Sequence, residues 1–288
     1  MGNGLAVGFS ASVATVCTHP LDLVKVRLQT TQGKRVGMVG TLVRVGTHEG
    51  LLALFNGLSA SLLRQATYST VRFGTYDYLK HRMTGGMDEK LPFYKMILAA
   101  TAAGLVGGGF GNPADIINVR MQNDGQLPAS QRRNYKHAID GLIRISREEG
   151  VATLFRGIVP NMNRAVLMTC SQLTSYDSFK HMLLATPYFG ESIVTHFTAS
   201  LMAGVVATTI CSPVDVIKTR IMNSSKGGQY TGAIDALVKT VRHEGVTALF
   251  KGWLPSFSRL GPHTILTFMV LEKISHLYRQ NLRAKESL

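Results

Sequence analysis

Pro20-Leu-Asp22-Leu-Val-Lys25-Val-Arg27-Leu-Gln29 recurs as Pro113-Ala-Asp115-Ile-Ile-Asn118-Val-Arg120-Met-Gln122, and again as Pro213-Val-Asp215-Val-Ile-Lys218-Thr-Arg220-Ile-Met222. A second signature follows each copy. It reads Glu49-Gly50 with Phe55-Asn56-Gly57, Glu149-Gly150 with Phe155-Arg156-Gly157, and Glu244-Gly245 with Phe250-Lys251-Gly252. The prolines stand 93 and 100 residues apart. A two-part motif at near-constant period divides the 288 residues into three homologous units, 1–88, 89–188 and 189–288. Each unit is small and apolar on several faces, so the three must pack into one body.

Each unit reads as helix, short surface helix, helix. The first helix of a unit runs into Pro20, Pro113 or Pro213. Each proline is expected to kink it, after which the helical spacing resumes. Small residues four apart precede the prolines: Ala11 and Thr15, Gly104 and Gly108, Gly204 and Thr208. That spacing lets helices approach closely in lipid. Short amphipathic segments follow at 37–48, 135–148 and 230–243, ended by Glu-Gly with Gly50, Gly150 or Gly245 as C-cap. The expected fold is all-α: six transmembrane helices and three short amphipathic ones around a pseudo-threefold axis.

A net charge of +14 points to nucleic acid, an anionic membrane surface or an anionic small molecule. The basic residues are spread over all three units without an aromatic–basic cluster, so no nucleic-acid partner is expected. Mean hydropathy is only +0.11. Even so, the stretches 5–19, 57–80, 96–114, 157–176, 193–214 and 252–271 are poor in charge and approach bilayer-spanning length. Weak hydropathy over six near-spans suggests helices with one face to lipid and one to water. Cys17, Cys170 and Cys211 are irregularly spaced and read as small buried residues, not as a disulfide framework or metal site. The nine histidines form no ligand pair such as H-E-x-x-H, and no nucleophile–base constellation is evident. No enzyme activity, metal or cofactor is expected.

The even helices carry the sharpest signal. Seven residues after Gly57, Gly157 and Gly252 stand Arg64, Arg164 and Arg259. At 100° per residue, Ser61, Arg64, Tyr68, Arg72 and Thr75 fall within an arc of about 80°. The matching stripes are Asn161, Arg164, Met168, Gln172 and Ser175, and Ser256, Arg259, His263, Thr267 and Val270. Arginine at membrane depth costs about 2.5–3.5 kcal/mol or more if it faces lipid, so these residues must face protein or water. They either pair with carboxylates or line a water-filled cavity with an anion site. The second reading is preferred, because no partner lies nearby in sequence. Arg64, Arg164 and Arg259, with Arg72 and Gln172 next, are the expected anion contacts, since guanidinium binds carboxylate or phosphate bidentately.

These motifs, three times over, resemble the mitochondrial carrier family from end to end. The resemblance implies a monomeric, multi-pass protein of the mitochondrial inner membrane. It also implies cardiolipin headgroups at the helix starts by Gly57, Gly157 and Gly252. It implies a matrix gate in which the acid of one unit pairs with the base of the next: Asp115–Lys218 and Asp215–Lys25, with Asp22 facing neutral Asn118. Gln29 and Gln122 match the family's bracing glutamine, whereas Met222 does not. A cytoplasmic gate is implied by Tyr76-Asp77-x-x-Lys80, Tyr176-Asp177-x-x-Lys180 and the degraded Leu271-Glu272-x-x-Ser275. Its pairs would be Asp77–Lys180 and Glu272–Lys80, leaving Asp177. Asn118 and Gln172 are similar to the dicarboxylate-carrying branch, which exchanges malate, malonate or succinate for phosphate or sulfur oxyanions by alternating access. Uncoupling-protein-like and oxoglutarate carriers are the alternatives.

Overall fold

A computed structural model describes residues 2–31, 37–84, 92–186, 190, 192–224, 230, 232–259, 261–263, 266 and 269–270. Five long helices are α1 (Gly2–Thr30), α3 (Leu58–Met83), α4 (Phe93–Asn123), α6 (Ile158–Leu184) and α7 (Ile193–Asn223). Three short ones are α2 (Met38–His48), α5 (Ala138–Glu148) and α8 (Ala233–Glu244). A sixth helix begins at 253–259, and helical residues recur at 261–263, 266 and 269–270. No strand occurs among the described residues. Helices α1, α4 and α7 each run on through their proline, Pro20, Pro113 and Pro213.

Successive long helices adjoin, and the three proline-containing helices also meet pairwise in the centre. Glycine makes the tightest of these packings. On α4, Gly107 and Gly111 lie against Tyr68 of α3, while Gly104 and Gly108 lie against Ala165 and Asn161 of α6. A Cβ at Gly107 would sit 3.2 Å from Arg72 Cβ, so α4 is flanked closely on both sides because those positions are bare.

Each short helix packs beneath the proline helix of its own unit. Val45 of α2 joins Leu23 and Ala53. Ala138 and Ile145 of α5 join Ile116, Ile117 and Val119. Ala236 of α8 joins Ile217, Ile221, Tyr230 and Leu249. Burial of these faces is the main favourable term holding the short helices in place. Gly57, Gly157 and Gly252 open the even helices with φ of 86°, 74° and 85°, a left-handed conformation that suits glycine.

Among the described residues one helix, Val194–Asn223, is apolar enough by itself to cross a membrane, with mean hydropathy 1.6. The other long helices fall below that level: serine, threonine and charge dilute α3 and α6, and glycine dilutes α4. Their outer faces do carry large exposed apolar side chains, such as Leu98, Val106 and Phe110 on α4. Cys211 is buried, but Cys17 is exposed and Cys170 half-buried. The expectation of three buried thiols is therefore corrected: Cys17 falls on the outward face of α1, next to exposed Val16.

Candidate functional site

Beyond the three prolines, α1, α4 and α7 bring their acidic and basic residues together. Lys25 Nζ lies 2.8 Å from Asp215 Oδ2, and Lys218 Nζ lies 2.9 Å from Asp115 Oδ2. The third position differs. Asn118 Oδ1 accepts from Ser61 Oγ at 2.8 Å and from Gln122 Nε2 at 2.9 Å. Asp22 is instead held by Arg259. The spacing of Asp22 and Lys25 would also allow a pair within one helix, yet Lys25 reaches across to α7.

The arginines of the even helices join the same ring. Arg259 pairs with Asp22, Arg164 Nε with Asp215 Oδ1, and Arg64 Nε lies 3.7 Å from Asp115 Oδ1. Each aspartate thus takes an arginine from the preceding unit, in cyclic order. Asp115 takes a further bond from Asn161 Nδ2 at 3.1 Å. The carboxylate partners that sequence distance concealed are the aspartates of the proline motif. The arginines are not sealed off by this pairing: their side chains remain 24%, 33% and 29% exposed for Arg64, Arg164 and Arg259. A cavity of about 120 Å³ holds all three arginines, all three aspartates and both lysines. A second, of about 150 Å³, shares Lys25, Arg164 and Arg259 and adds Ser256 and His263. The ring holds five cations against three carboxylates, a surplus of two positive charges.

Below the ring lies a second layer that the sequence reading missed. Arg27 grips Glu49 with both guanidinium nitrogens, one at 2.8 Å, and its Nε donates to the Gln122 carbonyl at 3.0 Å. Arg120 grips Glu149 likewise and donates to the Met222 carbonyl at 3.2 Å. Arg220 grips Glu244 at 2.6 and 3.0 Å and donates to the Gln29 carbonyl at 3.1 Å. Each arginine therefore ties its own unit's Glu-Gly corner to the proline helix of the next unit, closing a circle. These forked, charge-assisted bonds are the strong kind. Burial alone would raise the Glu244 carboxyl, but hydrogen bonds from Arg220 and Lys251, with their charges, hold it below the ordinary glutamate value. The signal was visible as an arginine at the same position of each copy, Arg27, Arg120 and Arg220, alongside a glutamate read only as a helix end.

The residue before each proline makes a third set of ties. His19 Nε2 meets the Asn56 carbonyl at 3.1 Å, Asn112 Nδ2 donates to the Leu154 carbonyl at 2.9 Å, and Ser212 Oγ donates to the Leu249 carbonyl at 3.2 Å. Gln29 Oε1 accepts from Thr219 Oγ1 at 2.8 Å, while apolar Met222 is buried in the core. A Cβ on Gly57, Gly157 or Gly252 would come within 3.0, 3.2 and 2.9 Å of Gln122, Met222 and Gln29. These glycines therefore seat one unit against the next.

Other expected site residues lie apart. Arg72 Nη1 donates to Tyr68 Oη at 3.3 Å on its own helix, and Gln172 is exposed. At the far end of the even helices Asp77 and Lys80 are exposed, whereas Asp177 and Lys180 are half-buried. Glu272 lies outside the described residues. No group of three or more metal-ligating side chains occurs among the described residues.

Residues 1–86, 89–186 and 190–282 match the family model described as mitochondrial carrier protein. Over 274 residues the chain is 53% identical to a mitochondrial citrate transporter F of Aspergillus niger, spanning 94% of this chain and 88% of that protein. It is 49% identical to a mitochondrial dicarboxylate transporter of Saccharomyces cerevisiae, over 93% of this chain and 89% of that one. It is 44% identical to the mitochondrial 2-oxoglutarate/malate carrier protein of Mus musculus, over 95% and 90%.

Proposed function

The chain belongs to the mitochondrial carrier family, and on that premise we propose that it exchanges dicarboxylates across the mitochondrial inner membrane. The imported or exported anion would be malate, succinate or malonate, and the counter-anion phosphate or a sulfur oxyanion. The observation that carries this reading is the surplus of two positive charges in the ring, which a dianion neutralises.

The mechanism follows from shared arginines. An anion arriving from the Tyr-Asp end meets Arg64, Arg164 and Arg259, whose guanidiniums already serve Asp115, Asp215 and Asp22. A substrate carboxylate competes for Arg164 and leaves Asp215 held by Lys25 alone. The seal at the Pro-motif end weakens only when substrate is present, which couples binding to opening. In this reading the proline-motif end is the matrix gate, closed here, and Asp77–Lys180 with Glu272–Lys80 close the cytoplasmic side in the opposite state. Cardiolipin headgroups at the helix starts by Gly57, Gly157 and Gly252 belong to the same reading, since backbone N–H groups there suit phosphate.

A tricarboxylate carrier is the second reading, favoured by the 53% identity to a relative named for citrate. Purified protein in liposomes decides between them. Labelled malate uptake should require internal phosphate, succinate or malate, and citrate should compete poorly. Preference for internal citrate would install the second reading. Equal uptake into empty liposomes would indicate a channel and overturn exchange.

A further inference from the structure

Two of the three seams between the proline helices carry a lysine–aspartate pair: α1 with α7 through Lys25–Asp215, and α7 with α4 through Lys218–Asp115. The seam of α1 with α4 has Asn118 where the lysine would stand. A chain of hydrogen bonds runs there instead. His19 Nε2 meets the Asn56 carbonyl at 3.1 Å, and His19 Nδ1 lies 3.3 Å from Ser61 Oγ. Ser61 Oγ lies 2.8 Å from Asn118 Oδ1 and accepts from Gln122 Nε2 at 3.3 Å. His19 is fully buried and stacked on Phe55.

Counting hydrogens shows what this chain needs. A carbonyl only accepts, so Nε2 carries a hydrogen in every state. Ser61 has one hydroxyl hydrogen for two acceptors, His19 Nδ1 and Asn118 Oδ1. With a neutral ring and Asn118 Oδ1 turned towards Ser61, as it is here, one of those two contacts is left without a hydrogen. With a protonated ring, Nδ1 donates to Ser61 and Ser61 donates to Asn118, and every link is made. The charges acting on the ring are Asp22 on its own helix and Arg259 on the final segment; Ser61 of α3, and Asn118 and Gln122 of α4, are neutral.

We propose that His19 is a positioning residue for transport: through Ser61 it holds the seam that lacks a lysine–aspartate pair, and protonation of its ring completes that hold. The inference rests on the exchange reading for its rate consequence. Completing the chain favours the closed Pro-motif end, so exchange slows as the ring gains its proton.

The test is malate–malate exchange in liposomes from about pH 8 to about pH 4.5, a range carried well below the ordinary histidine pKa because the ring is buried. The parent should slow on acidification by about threefold to tenfold, the worth of one hydrogen bond gained. His19→Gln and Ser61→Ala should both lose that step, and Ser61→Thr, which keeps the hydroxyl, should keep it. A purely structural histidine would leave the Ser61→Ala profile like the parent's, and that result overturns the proposal. Should His19→Gln fail to fold, the Ser61→Ala and Ser61→Thr pair decides alone. Should the parent exchange no malate at any pH, the transport reading fails. The His19 ring titration by NMR in detergent-purified parent and Ser61→Ala then decides: a shift between them upholds the link, and identical curves refute it.

Discussion

At one end of the bundle Asp22, Asp115 and Asp215 are buried, and each takes a cation from another unit. At the other end Asp77 and Lys80 are exposed, and Asp177 and Lys180 are half-buried. The residue types are the same, yet the surroundings set the energies apart. A buried charge stripped of its partner is costly, because little water can replace the partner. An exposed pair gains little, because water already serves both members. Among the described residues the Pro-motif end is thus tied by buried ion pairs while the Tyr-Asp end carries exposed and half-buried charge, and substitutions should weigh very differently at the two.

The largest effect is expected at Asp215, which serves both Lys25 and Arg164. Asp215→Ala strands two cations, and breaking a buried pair costs about 3–5 kcal/mol. Exchange should fall by two orders of magnitude or more. Combining Asp215→Lys with Lys25→Asp should recover part of it. A double-mutant cycle without coupling would dissolve this seam.

A smaller effect is expected one layer below. Glu244→Gln weakens the grip of Arg220 and Lys251. It should remove about 1.5–3 kcal/mol of charge-assisted bonding and lower the unfolding temperature by several degrees. The pH dependence follows from the sign of the shift. The Glu244 carboxyl is held below its ordinary value near 4.5, so its contribution is present above that pH. It is lost as pH falls through the folded value. Acid unfolding scans should show this loss in the parent and not in Glu244→Gln; equal scans would remove Glu244 from the account.

At the other end, Asp77→Asn should cost this state no more than the 0–1 kcal/mol of an exposed pair, a shift of about 4 °C at most in unfolding temperature. A loss matching that of Asp215→Ala would erase the contrast between the two ends.

Much of the fold was legible because it is written three times. The repeated Pro-x-Asp signature located the proline helices, and seven-residue offsets placed three arginines at one height. The short helices were found to within a few residues by their amphipathic spacing. What escaped was pairing at long range. Arg259 and Asp22 are separated by 237 positions, and periodicity says nothing about which unit's acid an arginine will meet. The glutamates of Glu-Gly looked like helix ends because a capping role explains glycine and says nothing of the acid before it. His19, Asn112 and Ser212 share no chemistry beyond hydrogen bonding, so their common task before the proline left no pattern in the residue types.

The central claim is that the ring arginines serve the gate and the substrate in turn. Malate exchange by Arg164→Ala and Arg164→Lys in liposomes tests it most directly. Loss of one charge-assisted bond worth about 1.5–3 kcal/mol should raise the half-saturation concentration roughly tenfold to a hundredfold. Lysine should recover only part, because it lacks the planar fork. An Arg164→Ala protein that exchanges malate at the parent's rate and half-saturation concentration would contradict the account.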